Sequence, residues 1–283
     1  MSAKLDISSR ENMIDPSYRS IGVASTFSPR FREVLAEAKR VRDRFGSTLS
    51  LIYVGERTAE TVAKFDEVLA SLELPADSVV HYETGDPATA ILQLALSNKM
   101  DLIVAGALEK EAILRPFLGN VARRLAREAH CSVMLFTKPE SAPKPFRRIV
   151  FISDYSEQAQ DALSKTLQLA AQEKSERLYV IRIHTTFDEA RASLRTDGDE
   201  SSARTLEEEE AALEQLIQAA GPTEVPIEAR CIRGNTGFAA SDFVQSVEAD
   251  LLVVPISRTD ANALPAQIAW ITEVIPCNLW IIR

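Results

Sequence analysis

The chain has few cysteines and histidines and no long apolar run. Its three cysteines cannot pair evenly and form no Cys-x-x-Cys spacing, which disfavours a disulfide framework and fits a reducing, cytoplasmic setting. Its three histidines show neither His-x-x-His nor His-Glu-x-x-His spacing, which disfavours a metal centre. No apolar stretch approaches the roughly 20 residues that a membrane-spanning helix needs. We therefore expect a cytoplasmic protein with no bound metal and no membrane insertion.

The common motifs of nucleotide and acyl chemistry are also missing. There is no G-x-x-x-x-G-K-[ST] loop, no G-x-G-x-x-G fingerprint and no G-x-S-x-G elbow. A P-loop NTPase, a dinucleotide-binding dehydrogenase and an α/β-hydrolase are disfavoured as a result. No nucleophile paired with a base can be identified, so we expect no catalytic residues, and we favour a binding protein over an enzyme.

Charge is unevenly distributed along the 283 residues. The formal net charge is −9, with 46% hydrophobic and 26% charged residues, as in soluble globular proteins. Residues 1–139 are electrically neutral, so residues 140–283 carry the whole excess of negative charge. An acidic second half would be repelled by a nucleic-acid duplex, and we expect no nucleic-acid partner.

One segment of about 35 residues occurs twice. DLIVAGALEKEAILRPFLGNVARRLAREAHCSVMLF begins at residue 101, and DLLVVPISRTDANALPAQIAWITEVIPCNLWII begins at residue 250, which is 149 positions later. Each copy runs from an apolar strand through a polar loop and a helix to a cysteine and a closing strand. A period of half the chain indicates a duplicated domain rather than a solenoid repeat.

Strands and helices alternate through both halves. Apolar strands are predicted at 21–25, 48–54, 79–83, 101–106 and 132–136, with helices between them. Ser28-Pro29 predicts the cap and first residue of the first helix, Gly46 its end, and Asp86-Pro87 the start of a later helix. The order βαβαβαβ-loop-αβ predicts a parallel sheet with helices on both faces, and ligands bind such sheets beyond the carboxyl ends of the strands.

The pattern restarts after a proline-rich segment. TKPESAPKP at 137–145 predicts a stiff, exposed linker, and RRIVFIS at 147–153 begins the second series of strands. We therefore predict a domain at 18–137, a linker at 138–146 and a second domain at 147–283. The second half also holds an acidic helix at 206–220, whose glutamates Glu207–Glu210 are predicted to form a solvated face or a surface for a partner.

The duplicated unit resembles the universal stress protein domain. The resemblance lies in DLIVAG at 101–106, Gly119-Asn120-Val121 thirteen residues further on, and His130-Cys131-Ser132-Val133 at the close. It extends to Ser25-Thr26-Phe27-Ser28 and its counterpart Ser153-Asp154-Tyr155-Ser156. The chain thus looks like a tandem member of that family. The resemblance implies two flavodoxin-like or Rossmann-like α/β domains, each with a five-stranded parallel sheet covered by helices on both faces.

The resemblance also implies where a nucleotide would bind. In ATP-binding members, glycines and a helix N-terminus surround the phosphates, and an aspartate after the first strand contacts the adenosine. The matching positions of the first copy are Thr26, Val54, Gly106, Glu109, Gly119, Asn120 and Val121, and those of the second copy include Asp154, Ser257 and Arg258. Glu109 stands where a glycine belongs, and its carboxylate would repel a triphosphate. Asn120 replaces a serine or threonine but can still cap a helix.

These departures leave three functions open. The first is a cytoplasmic stress-response or regulatory binding protein with degenerate nucleotide loops and no certain cofactor. The second is an adenine-nucleotide sensor that binds and slowly hydrolyses ATP in the first domain. The third is a scaffold for a protein partner or another small ligand. The resemblance further implies an intramolecular pseudo-dimer in which Val133–Phe136 pairs with Leu279–Ile282, and a further homodimer stays open.

Overall fold

The chain forms an α/β structure in which a single sheet runs through both halves. The computed structural model describes residues 17–107, 118–153, 157–194, 204–234, 236–256 and 277–283. The ten described strands are β1 Ser20–Ser25, β2 Thr48–Val54, β3 Val80–Glu83, β4 Leu102–Gly106, β5 Ser132–Phe136, β6 Arg148–Ile152, β7 Arg177–His184, β8 Ile227–Arg233, β9 Leu251–Pro255 and β10 Asn278–Ile282. The described helices are α1 Phe31–Phe45, α2 Ala59–Ser71, α3 Pro87–Ser97, α4 Asn120–Glu128, α5 Glu157–Glu173, α6 Thr186–Ser193, α7 Leu206–Ala219 and α8 Thr236–Ser246.

The strand order is the same in both halves. The sheet reads β3-β2-β1-β4-β5-β10-β9-β6-β7-β8, so each half contributes five parallel strands in the order 3-2-1-4-5. This is the order of a Rossmann-type doubly wound sheet, in which the direction of strand addition reverses between the first and fourth strands. The predicted fold class is therefore confirmed, whereas the domain limits at residues 137 and 147 stay predictions.

The two halves meet through their last strands. β5 and β10 pair in antiparallel fashion, with Leu279 opposite Leu135 and Ile281 opposite Val133. Thr137 N–H donates to Asn278 Oδ1 over 3.0 Å just beyond this ladder. The strand pairing predicted from the resemblance is thus present within one chain, and it removes two sheet edges that would otherwise be open.

Helices cover the two faces of the sheet with separate cores. One core contains buried side chains of α1, α2, α5 and α7, and the other contains those of α3, α4 and α8. Strand residues alternate between the cores, so Leu102 and Val104 lie in the first core while Ile103 and Ala105 lie in the second. This two-residue period is what a strand covered on both faces requires.

A repeated aspartate fixes the start of each half-sheet. Asp101 Oδ2 accepts the backbone N–H groups of Arg19 and Ser20 over 2.9 and 3.0 Å. Asp250 Oδ2 accepts those of Arg147 and Arg148 over 2.7 and 2.9 Å. The aspartate that opens each sequence repeat therefore holds the entry of the first strand of its own half. The physical role of the repeated residue is to satisfy backbone donors that lie outside the ladder.

Several local predictions were wrong. Ser28 does not cap α1: the helix begins at Phe31 after Arg30, and Ser28 provides only its carbonyl to the Phe31 N–H. α6 was not predicted, although Thr185 and Asp188 form a reciprocal capping box at its start. The proline-rich segment is mostly exposed, but Thr137 and Phe146 at its two ends are buried.

The predicted end of α1 is correct. Gly46 ends this helix in the left-handed conformation, with φ +66°.

The acidic helix α7 is not a uniform solvated face. Glu209 is buried, and its Oε2 lies 3.7 Å from Nε of Arg182 in β7 and 4.0 Å from Nη1 of Arg204. Glu208 belongs to a capping box with Thr205. The four glutamates therefore include two with structural roles, which weakens the prediction that they form one partner-docking surface.

Candidate functional site

A cavity of about 520 Å³ lies at the carboxyl ends of β1 and β4. This is the point at which the strand order of the first half reverses, and doubly wound folds bind their ligands there. The volume falls within the range of about 300–1,000 Å³ that is typical of small-molecule sites. Five of the residues predicted from the sequence line it: Thr26, Val54, Gly106, Gly119 and Val121.

The other predicted site residues are placed differently. Asn120 is the first residue of α4 and is exposed, and Gly119 rather than Asn120 occupies the cap position. The prediction that Asn120 caps this helix is therefore wrong. Glu109, Asp154, Ser257 and Arg258 lie outside the described residues, so their assignments stay predictions.

Backbone hydrogen bonds fix the floor of the cavity. Ala107 N–H donates to the Phe136 carbonyl over 2.8 Å, which extends the β4–β5 ladder past Gly106. Gly119 N–H donates to the Ala107 carbonyl over 2.9 Å, so residues 107 and 119 are held together across the intervening loop. A Cβ added at Gly106 would lie 3.3 Å from Val34 Cγ2, a tight contact on the side of α1. Glycine at this position therefore avoids a close contact between β4 and the Val34 side chain of α1.

Three helices begin at the cavity, and their N-termini differ. α3 is capped by Asp86, whose carboxylate accepts the Thr89 N–H over 3.0 Å. α1 and α4 have no side-chain cap at all. The first N–H groups of a helix carry partial positive charge and need acceptors. Two of the three helix N-termini at this site therefore have backbone N–H groups, beyond the Phe31 N–H that bonds Ser28, that no capping side chain occupies and that can donate to an anionic ligand.

The lining is otherwise mostly apolar. Ala24, Ile91, Ala105, Ala122 and Phe136 form much of the wall, and Ser25, Thr26, Ser28 and Thr137 add hydroxyl groups. Arg30 is the one charged side chain among the described lining residues. An apolar body with a few polar groups at one end is the usual composition of a site for a small organic ligand. Arg30 and Thr137 were not identified from the sequence, because nothing in their local pattern distinguishes them from surface residues.

Aromatic rings pack beside the cavity on the α2 side. Phe65 is buried at the centre, with ring centroids 4.9 Å from Phe27, 5.4 Å from Tyr53 and 6.1 Å from Tyr82. These edge and tilted contacts hold the carboxyl ends of β1, β2 and β3 in fixed relative positions. The cluster therefore supports the wall that contains Thr26 and Val54.

The second half has a matching backbone hydrogen bond at this site but different residues around it. Ile256 N–H donates to the Ile282 carbonyl over 2.8 Å, as Ala107 does to Phe136, which places Pro255 at the position of Gly106. Proline lacks the backbone N–H that glycine offers. The register of β1 with β2 and of β6 with β7 also places Arg182 where the first half has Tyr53. The ion pairs of the buried Glu209 with two partly exposed arginines thus occur on the face that the first half fills with aromatic rings.

The described residues contain neither a cluster of metal-ligating side chains nor a membrane-spanning helix. No group of three or more His, Cys, Asp or Glu side chains that could hold a metal ion occurs in the described parts of the chain. Among the helices in those same parts, none has the length and apolarity needed to cross a membrane.

Curated proteins are similar in sequence to parts of this chain. A curated universal stress protein of Methanocaldococcus jannaschii is 43% identical over 56 residues, which are 20% of this chain and 33% of that protein. A universal stress protein of Thermus aquaticus is 38% identical over 69 residues, which are 24% of this chain and 50% of that protein. The chain thus matches at most half the length of these curated relatives.

Solved structures share the whole two-domain fold. A functionally unknown protein of Pseudomonas aeruginosa superposes with a TM-score of 0.71 at 15% identity, covering 94% of this chain and 92% of that one. A universal stress protein of Archaeoglobus fulgidus superposes with a TM-score of 0.62 at 13% identity, covering 95% and 99%. At such low identity these likenesses show the fold.

The family itself follows from a match of the family model to both halves. The model described as "Universal stress protein family" matches residues 56–137 and again residues 145–264, which together exceed half of the chain. The two matches agree with the duplicated strand order and with the repeated Asp101 and Asp250. The chain belongs to the universal stress protein family as a tandem member.

Proposed function

We propose that this protein is a regulatory binding protein of the stress response whose first half binds an adenine nucleotide weakly. The carrying observation is that five residues predicted from separate parts of the sequence, from Thr26 to Val121, line one cavity at the reversal of strand order. The uncapped N-termini of α1 and α4 provide donors for phosphate oxygens. The apolar wall suits a nucleoside body.

Weak affinity follows from the residues that depart from the family pattern. In the sequence, Glu109 stands where the family pattern has a glycine of the phosphate loop, and a carboxylate there would oppose a triphosphate through like charge. Thr26 provides a hydroxyl where an aspartate of the family pattern would contact the adenosine. Each change removes or reverses one interaction, whereas the backbone donors near Gly119 do not depend on side-chain identity. We therefore expect affinity to be reduced and not abolished.

Calorimetric titration of ATP, with and without Mg²⁺, tests the proposal. The proteins to compare are the wild type, Glu109→Gly and Gly106→Val. We expect weak binding by the wild type, tighter binding by Glu109→Gly, and loss in Gly106→Val, whose side chain would occupy the cavity wall. Glu140→Gly in the exposed proline-rich segment is the matched control for removal of a carboxylate. If neither the wild type nor Glu109→Gly binds any adenine nucleotide, the nucleotide function is wrong.

A further inference from the structure

The helix α6 belongs to the second half and has no counterpart between β2 and α2 of the first half. There, residues 55–58 join the strand directly to the helix. In the second half, β7 pairs with β6 as β2 pairs with β1, but the chain forms α6 before it reaches α7. None of the side chains of α6 is buried. This helix therefore adds nothing to the two cores.

Two large apolar side chains are exposed on α6. Phe187 is 67% exposed, and Leu194, the C-terminal cap, is 80% exposed. They lie about two helical turns apart, so they share one face of the helix. Burial of such side chains in a contact is favourable in proportion to the apolar area that leaves water. A helix that buries nothing and exposes this pair is typical of a contact surface.

The first turns of α7 lie beside the start of α6. Glu209 Oε2 of α7 lies 3.7 Å from Arg182 Nε on β7. Arg182 precedes Thr185, the cap of α6, by about 10 Å of extended chain. On the neighbouring strand β8, Arg233 Nη2 lies 2.5 Å from Glu189 Oε1 of α6. The two helix starts are therefore close enough for one bound helix, about 10–12 Å across, to contact both.

Exposed glutamates of α7 give this surface a negative charge. Glu207, Glu210 and Glu214 are exposed, and their spacing of three and four residues places them in one row. None of the ion pairs found among the described residues involves them. Burial and then the Glu210 carboxylate raise the pKa of the Cys231 thiol on β8 to about 11, so Glu210 lies near the part of β8 that leads to Arg233 and α6.

Arginines on the same surface reduce this negative charge without cancelling it. On α6, the first turns of α7 and the strand ends beneath them, the carboxylates are Asp188, Glu189, Glu207, Glu208, Glu209, Glu210 and Glu214. The guanidinium groups are Arg182, Arg191, Arg204 and Arg233. Seven carboxylates against four guanidinium groups leave a net charge of −3. The surface stays negative even when His184, buried 3.9 Å from Glu189, is protonated.

We propose that α6 and the first turns of α7 form a docking surface for a basic amphipathic helix of a protein partner. The apolar face of such a helix packs on Phe187 and Leu194, and its lysine or arginine side chains lie against the exposed glutamates. Anionic membranes and nucleic acids would be repelled by the same charge. The surface lies in the second half, is separate from the nucleotide cavity and does not depend on the proposed nucleotide function.

Fluorescence anisotropy of a labelled peptide tests the proposal on the intact chain. The probe is a peptide of about 18 residues, with leucine on one face and lysine on the other, because about five turns favour helix formation. The same peptide with glutamate in place of lysine tests the role of charge. Vesicles of phosphatidylserine test a membrane surface as the alternative occupant.

Phe187→Ser tests the apolar contact. We expect it to weaken binding of the leucine–lysine peptide roughly tenfold, as truncation of an aromatic anchor does. Phe238→Ser is the matched control, because Phe238 is 79% exposed on α8, which packs on the other core, and this variant should bind like the wild type. Both positions are exposed, so neither change opens a core. Equal affinity in these three proteins, or no binding by the wild type, would overturn the proposal.

Glu207→Gln/Glu210→Gln tests the charge. We expect this double variant to bind the leucine–lysine peptide roughly threefold to tenfold more weakly, with a smaller dependence on salt than the wild type shows. Asp66→Asn/Glu67→Gln is the control, since it removes two exposed carboxylates from α2 of the first half and should leave binding unchanged. Equal losses in the two double variants, equal binding of the two peptides, or binding of the vesicles in place of the lysine peptide would contradict the proposal.

Discussion

The Glu173 carboxylate of α5 lies 2.8 Å from Arg40 Nη1 of α1, so a buried ion pair joins the two halves of the chain. Arg44 Nε lies 2.9 Å from the other oxygen, and the Phe146 N–H donates to Glu173 over 3.0 Å. The Glu173 side chain is fully buried. Two hydrogen-bond donors, Arg44 Nε and the Phe146 N–H, and the ion-pair contact with Arg40 compensate a carboxylate that is removed from water.

Glu173→Gln should destabilise the fold by about 3 kcal/mol, because it removes the buried carboxylate that Arg40 and Arg44 share and leaves Arg40 with Glu37 alone. Equilibrium urea unfolding measures the loss. Glu176→Gln is the control, since Glu176 pairs with Arg147 at the surface and should cost less than about 1 kcal/mol. Equal losses for the two variants would show that the Glu173 network does not hold the halves together.

Asp101→Asn and Asp250→Asn should destabilise the chain by similar amounts, about 1–3 kcal/mol each. Each replaces a carboxylate that accepts two backbone N–H groups at the entry of a half-sheet. The measurement is again urea unfolding, with Asp77→Asn as an exposed control. A large loss at one aspartate and none at the other would mean that the two copies no longer use this contact in the same way.

Acid should reduce stability partly through Asp86. Hydrogen bonds from the Thr89 hydroxyl and N–H, together with the Arg124 guanidinium, lower the pKa of this carboxyl from 3.8 to about 2. Because the folded pKa is the lower one, its contribution is present above about pH 4 and fades as pH falls towards 2. Asp86→Asn keeps a capping side chain, so the wild-type advantage over it should shrink in that interval. Thermal unfolding between pH 5 and pH 2 measures this, and a constant difference would contradict it.

The cysteines should react slowly with a thiol reagent in the folded protein. Burial raises the pKa of the Cys231 thiol to about 11 and that of Cys277 well above its ordinary range. At pH 8 only about one Cys231 in a thousand is then a thiolate, the reactive form. Cys231 is the least buried of the three and should react first, while urea should expose all of them. Fast labelling of Cys277 without denaturant would contradict the closed core.

The alternation of strands and helices could be predicted because each strand is a short apolar run and each run ends at a turn residue. The cavity could be predicted in part, since the glycines that define it resemble a known loop at fixed spacing. Helix caps were harder to predict. Ser28 and Asn120 are both good caps by residue type, but Arg30 and Gly119 occupy the N-cap positions of α1 and α4. The choice depends on the angle at which the chain leaves the preceding loop.

Contacts between residues far apart in the sequence account for the other features that could not be predicted. In the sequence Glu209 resembles a solvated glutamate in an acidic run, but in the fold it is buried on α7 and pairs with Arg182, which lies on β7. α6 has no apolar stripe and buries none of its side chains, so periodicity gave no sign of it, and only the Thr185–Asp188 capping box marked its start. Such features are decided by what the fold brings together and not by local propensity.

Because both copies lie in one chain and pair through β5 and β10, the two unlike crevices always occur together. In an assembly of identical single-domain chains, every crevice would carry the same residues, and its pairing would depend on concentration. Here Gly106 in one copy and Pro255 in the other are joined covalently in a constant one-to-one ratio. The two unlike crevices are therefore present in equal numbers at any level of expression.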